Sequence, residues 1–255
     1  MTSIKTATHN GVATIEIARP EKKNAITLDM YTAMADALIK AHADQAVRAV
    51  LVTGQPGIFT SGNDLEDFLQ RPNQGADSSP FRFMRALADC EKPVIAAVTG
   101  AAIGIGTTLL LHCDLVYVSD EARLALPFTS LGLVPEFASS LLLPRLLGHA
   151  RAAEKLLLGD PFGPQDAVDL GLANAVLPAG EVVHHARRVA ERFNALPPGA
   201  VRDSKRLMRR ATAEQVKDAI AAESKLFLER LSSPEAREAF SAFLQKRKPD
   251  FSQFS

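Results

Sequence analysis

The spacing of apolar positions changes period several times along the chain. Residues 12–18, VATIEIA, form a short β-branched run and predict a strand. Residues 28 to about 43 switch to helical spacing. Leu28, Met34, Leu38 and Ile39 mark the apolar face there, and Thr27 is placed as the N-cap. Residues 47–53 (VRAVLVT), 93–99 (PVIAAVT) and 114–119 (DLVYVS) predict three more strands. The last two are apolar almost throughout, the pattern of parallel strands covered on both faces. Strands alternating with helical stretches place the chain in the α/β class.

Two of these strands end in Val-Thr-Gly, at Val52-Thr53-Gly54 and Val98-Thr99-Gly100. Each is followed by a Gly-containing loop and a helical pattern. The units VLVTGQPGIFTSGNDLEDFL and VIAAVTGAAIGIGTTLLLHCD form a weak internal repeat that can aim two helix starts at one point. From about residue 178 no strand signal remains. Leu196-Pro197-Pro198 separates two helices. Residues 211–231 carry Val216, Ile220, Leu226, Phe227 and Leu231 near helical spacing. Ser233 and Pro234 supply an N-cap and first position for a last helix. The expected division is an α/β core over 1–195 and a helical region over 196–255, packed on the core or on a neighbouring subunit. Residues 72–80, PNQGADSSP, predict a mobile loop.

Composition narrows the partners. An apolar content of 47% supports a substantial core. Lys plus Arg balance Asp plus Glu at 29 each, so no basic excess points to nucleic acid or an anionic membrane. The apolar runs are too short to span a bilayer. Cys90 and Cys113 fit neither a disulfide framework nor a metal motif and are expected as buried free thiols. No metal-ligand spacing occurs, so no metal is expected. Residues 1–11 carry no targeting pattern, and the expected location is cytoplasmic.

Several short stretches carry candidate chemistry. In FTSGNDL, residues 59–65, Gly62 permits an unusual turn and Asp64 opens a helix whose first amides can meet an anion; an ordinary Asx-capped turn is the plainer reading. Residues 100–108, GAAIGIGTT, lack the third glycine of a dinucleotide fingerprint and the lysine of a phosphate loop. What remains is a small-residue loop with uncovered amides, or a close helix–strand contact. His112-Cys113-Asp114 cannot form a triad, because adjacent side chains diverge. His184 and His185 lie in a polar helical run and are expected to face solvent. Lys22-Lys23-Asn24 is a small basic cluster, either solvated surface or a phosphate contact. Glu136 stands in SLGLVPEFASS as the sole charged residue between Arg123 and Arg145. It is either a surface residue at a helix start or a base whose pKa is raised by apolar surroundings.

Taken together, IARPEKKNAIT, FTSGNDL, the long run KPVIAAVTGAAIGIGTTLLLHCDLVYVSDEARLALPFTSLGLVPEFASS and GPQDAVDLGLANAV resemble the crotonase superfamily of enoyl-CoA hydratases and isomerases, over nearly the whole chain. The resemblance implies a spiral of ββα units followed by an all-helical trimerisation region, as a homotrimer or a dimer of trimers. It implies an acyl-CoA thioester substrate, CoA being part of the substrate and no further cofactor being needed. It places the oxyanion hole on the backbone N–H groups of Asn63 and Ile105, the latter where the family commonly has Gly. It assigns CoA contacts to Lys22, Lys23 and Asn24, with Asp64 and Leu65 at the adjoining helix start. The two glutamates of classical hydratases match Thr108 and Phe128 here, and neither can act as a base. Glu136 matches the single glutamate of the Δ3,Δ2-enoyl-CoA isomerase branch. That reading makes Glu136 the catalytic base, moving a proton from C2 to C4 of a 3-enoyl thioester. Phe128 and Leu131, with Phe59, Phe68 and Phe81, are expected in the acyl pocket, although core packing accounts for the last three equally well. Open alternatives are a hydratase using Glu136 alone, dehalogenation or thioester hydrolysis on the same fold, and a non-catalytic acyl-CoA binder or scaffold.

Overall fold

The computed structural model describes residues 3–70, 75 and 78–254. Most of the expected loop over 72–80 lies outside the described residues. Among the described residues nine strands occur: β1 Ile4–His9, β2 Val12–Ile17, β3 Ala49–Thr53, β4 Ile58–Thr60, β5 Val94–Val98, β6 Ala101–Ile103, β7 Leu115–Ser119, β8 Arg123–Ala125 and β9 Ala175–Leu177. The helices of the core are α1 Leu28–Ala43, α2 Leu65–Gln70, α3 Ser79–Ala88, α4 Ile105–Thr108, α5 Ser139–Leu147, α6 His149–Ala153, α7 Pro164–Asp169 and α8 Val182–Glu191. Three more follow: α9 Pro198–Arg209, α10 Ala213–Leu231 and α11 Pro234–Leu244.

Two sheets share the strands. Six form a sheet in the order β1-β2-β3-β5-β7-β9, parallel except for the β1–β2 hairpin. The other three form a small parallel sheet, β4-β6-β8. The chain therefore alternates between sheets: β3 then β4, β5 then β6, β7 then β8. Each Val-Thr-Gly marks a crossing from the large sheet to the small one. The repeat in the sequence is thus a repeat of ββα units, wound into the expected crotonase-like spiral. β4, β6 and β8 are three residues each. Such segments are too short to show a period, which is why the sequence predicts loops there. β1 escapes for another reason: only Ile4 of its six residues is buried.

The covered strands serve two cores. Ala49 and Leu51 of β3 and Ile95 and Ala97 of β5 face α8, whose Val182, Ala186 and Ala190 repeat every four residues. Val50 and Val52 of β3 and Val94, Ala96 and Val98 of β5 face the main core with α1 and α3. A third cluster joins Leu126, Phe128 and Leu133 to Phe227 of α10 and Phe240 of α11. The tail helices thus pack on the core of their own chain, beside the loops that carry Glu136.

Thr27 and Ser233 cap their helices as expected, accepting from Met30 N and Ala236 N. Two helix-face assignments need correction. Ile39 and Leu226 are 47% and 46% exposed, because each lies beside the apolar stripe rather than on it. His185 is also corrected: its ring meets Tyr117 edge-on at 4.6 Å, while His184 is exposed. Cys90 and Cys113 are free, and burial pushes the Cys113 thiol up to about 12. A buried ion pair, Lys205 Nζ to Asp114 Oδ2 at 2.6 Å, fastens α9 to the edge of β7.

Candidate active site

Three loops from successive units converge on one cavity of about 700 Å³. The first carries Ser61 to Glu66 after β4. The second carries Ile103, Gly104 and Ile105 after β6. The third carries Pro127 to Glu136 after β8. Phe227 of α10 and Phe243 and Leu244 of α11 close one side, and Glu21, Lys22 and Lys23 stand at the mouth.

Gly62 and Gly104 occupy positive-φ conformations, at 95° and 56°. Side chains rarely adopt these, and each glycine turns the chain just ahead of a cavity-lining amide. Those amides belong to Asn63 and Ile105. Among the described residues neither N–H has a hydrogen-bond acceptor, although Ile26 N donates to Gly62 O at 2.8 Å and Gly104 N to Ala125 O at 2.9 Å. The flanking bonds fix the loops and leave the two donors unpaired. Tyr31 of α1, fully buried, donates its hydroxyl to Asn63 Oδ1 and so ties this loop to the helix.

Glu136 lines the same cavity and is only 5% exposed. Its Oε1 has no hydrogen-bond partner. Burial, with a smaller contribution from the charge of Glu223, raises its pKa from 4.5 to about 8. This resolves the two sequence readings of Glu136 in favour of a buried acid. Its other side reaches a smaller cavity lined by Phe68, Phe81, Met84 and Leu228. Phe137, next in the chain, is stacked on His112 at 3.8 Å, and His112 Nε2 lies 2.8 Å from Phe137 O. Burial drops the His112 pKa to about 3, so the ring is neutral and Nε2 carries the proton that Phe137 O accepts.

The remaining candidates divide. Phe128 and Leu131 line the main cavity, and Phe68 and Phe81 the smaller one. Phe59 is a correction: it is fully buried in the main core and does not line the cavity, because its side chain on β4 packs into the interior. Lys22 and Lys23 are exposed at the mouth, Lys22 lying 3.5 Å from Glu66. Asn24 is a second correction. It is 0% exposed, and its Nδ2 bonds Ile17 O and Phe59 O while its carbonyl accepts from Thr60 Oγ1. It is a strut between β2 and β4, not a surface contact. Asp64 lines the cavity, but its N–H already donates to Ile26 O at 2.9 Å. Its carboxylate meets Arg19 Nη1 at 2.5 Å and Asp67 N at 3.1 Å. Burial works against that charge, yet Arg19 and the Asp67 amide outweigh it and hold the Asp64 pKa below its usual value. Leu65 lines the cavity beside it.

Sequence reasoning missed Tyr31, Arg19, Phe227 and Glu223. Each belongs to a different unit from its partner, and no spacing rule connects them. Among the described residues no group of three or more His, Cys, Asp or Glu is placed to hold a metal ion, and no helix is long and apolar enough to cross a membrane.

The alternation of two sheets, the three converging loops and the buried acid define an enzyme of the crotonase fold. The family model for enoyl-CoA hydratase/isomerase matches residues 7–254, and the chain belongs to that family, whose substrates are acyl-CoA thioesters. Among solved structures, OdaA of Pseudomonas aeruginosa is 54% identical with a TM-score of 0.94, over 96% of this chain and 99% of that one. A probable enoyl-CoA hydratase of Bacillus subtilis is 31% identical over 98% of this chain and 99% of its own length. Enoyl-CoA delta isomerase 2 of Homo sapiens is 34% identical over 93% of this chain and 62% of its own length. Hydratases and isomerases thus stand at similar distances from this chain.

Proposed function

We propose that this enzyme is a Δ3,Δ2-enoyl-CoA isomerase that uses Glu136 as its single base. The observation that carries the reading is the inventory of acids around the cavity. Glu21 and Glu66 are exposed at the mouth, and Asp64 is paired with Arg19. Glu136 is the buried carboxylate there with an unpaired oxygen, among the described residues. Where the resemblance places the hydratase glutamates stand Thr108 and Phe128. Thr108 is fully buried, and Phe128 presents an aromatic wall.

In a 3-enoyl thioester the C2 proton lies between a carbonyl and an alkene. Ionised Glu136 removes it, and the electron pair spreads over the dienolate onto the thioester oxygen. The Asn63 and Ile105 amides meet that charge; one such donor contributes about 2.7–4 kcal/mol of barrier lowering. The proton then returns from Glu136 to C4, the alkene becomes conjugated with the thioester, and the base is regenerated. Its raised pKa brings Glu136 closer to a carbon acid than an ordinary carboxylate is, which favours the transfer. Lys22 and Lys23 at the mouth suit the phosphates of CoA.

A hydratase is the second reading, favoured by the names of several relatives. Supplying 3-enoyl-CoA and 2-enoyl-CoA in parallel separates the two. Conjugation of the 3-enoyl substrate faster than formation of 3-hydroxyacyl-CoA supports the isomerase, and the reverse order rejects it. The exposed apolar side chains of Leu157, Leu158, Leu207 and Met208 are of the kind a subunit interface covers, which supports the expected homotrimer or dimer of trimers. A monomeric mass in solution would remove that assignment.

A further inference from the structure

Glu136 is followed by two residues in the left-handed region, Phe137 at φ 60° and Ala138 at φ 56°. Neither is glycine, and L-residues with side chains are disfavoured there. Ala138 is also the N-cap of α5, and its side chain offers nothing to the free amides of the helix start. The missing acceptor comes from far along the chain. Glu223 of α10, 8% exposed, accepts from Ala138 N at 2.5 Å through Oε2. Its Oε1 accepts from Ser140 N at 2.9 Å and from Ser140 Oγ. On the other side of the turn His112 holds Phe137 O. The Glu136 carboxylate, by contrast, has an oxygen with no partner, so its direction follows from its own backbone and the cavity walls.

We infer that Glu223 is a positioning residue for Glu136: its carboxylate clamps the left-handed Phe137–Ala138 turn and thereby aims the base into the cavity. The inference rests on the reading of Glu136 as the base. Losing the clamp lets the turn relax toward ordinary dihedrals and swings Glu136 away from the reacting carbons. A displacement of about 1 Å in a reacting group lowers the rate by roughly 10²-fold. Glu223 also faces Glu136 as a like charge. The other groups around Glu136 are Tyr31 of α1, protonated and raised by burial and by Glu136 itself, and neutral His112 behind Phe137. Asp64 is neutralised by Arg19, and Lys22 and Lys23 lie at the solvent end of the cavity.

The test is Glu223→Gln, assayed with 3-enoyl-CoA across pH. Expected are a fall in kcat of about 10–100-fold with KM held within about twofold. The acid limb of the kcat/KM profile moves to lower pH, because a repelling charge is gone and Glu136 ionises more readily. Ala138→Gly, which accepts the left-handed turn without a Cβ, restores part of the lost kcat in the double variant. Wild-type kcat and an unmoved acid limb in Glu223→Gln overturn the inference. So does a double variant that regains thermal stability without regaining rate. Should Glu223→Gln fail to fold, Ser140→Ala takes its place, since it removes one of the three bonds at an exposed position. A fall in kcat of at least about threefold at constant KM supports the clamp, and an unchanged kcat overturns it. Glu136→Gln is measured alongside. If it isomerises normally the base assignment itself fails; if it is inactive while Glu223→Gln behaves as wild type, the clamp alone fails.

Discussion

Replacing Glu136 by Gln should make the protein more stable at alkaline pH while removing the proposed isomerase activity. The magnitude follows from burial. The folded state holds the Glu136 proton up to about pH 8, whereas the unfolded chain releases it near 4.5. Between those values the folded protein binds more protons than the unfolded one, so wild-type stability falls as pH rises. At 1.36 kcal/mol for each pKa unit the full window amounts to about 5 kcal/mol. Coupling to Glu223 and local relaxation reduce this to roughly 2–5 kcal/mol. Glutamine carries no proton to lose, so its stability lacks this decline. The quantity to measure is the stability difference between variant and wild type, from urea titrations at fixed protein concentration between about pH 5 and pH 9. Packing differences specific to the amide are constant with pH and cancel in the comparison. The variant should gain on the wild type by about 2–5 kcal/mol across that range, or about 5–15 °C in Tm for a chain of this size. A difference that stays flat with pH would refute the claim that a desolvated acid is held neutral in this cavity. The same variant should lose roughly 10²–10⁴-fold in kcat, the usual contribution of a general base.

Four further outcomes follow from particular contacts. As the proposed base, Glu136 has to be ionised to accept a proton, so wild-type kcat/KM should rise through an apparent pKa near 8 and level off above it, read from a pH–rate profile. Tyr31→Phe leaves Asn63 Oδ1 without its donor; a loss of about 1–2 kcal/mol in urea unfolding and a several-fold drop in kcat are expected. Phe128→Ala opens the wall facing the site, so product analysis should show more 3-hydroxyacyl-CoA relative to conjugated enoyl-CoA, with stability lowered by about 3 kcal/mol. Asp64→Asn removes a carboxylate whose folded pKa is depressed; its stabilisation is present above the unfolded value and is lost as pH falls through the folded one. The variant should therefore be about 1–3 kcal/mol weaker at neutral pH and match the wild type in acid.

By itself the sequence determined four of the six strands of the large sheet (β2, β3, β5 and β7), the long helices and the family. β3, β5 and β7 are continuous apolar runs, and a strand covered on both faces must be written that way. Thr27 and Ser233 are legible as caps because capping is local chemistry within three residues. Glu136 could be singled out because a lone charge in an apolar stretch is visible without coordinates. The sequence was silent or misleading where a residue's role depends on something distant. Asn24 looks like part of a basic surface cluster, and only the approach of β4 makes it a buried strut. Phe59 looks like pocket lining until the short strand turns it inward. β4, β6 and β8 show no period because three residues cannot, and pairing with one another is what makes them strands. Arg19 with Asp64, Tyr31 with Asn63 and Glu223 with the turn after Glu136 are separated by tens of residues. Their energies come from burial and charge at close range, and these exist only once the spiral has brought its loops together. Composition and periodicity record what each segment prefers; which segments meet is a property of the folded chain alone.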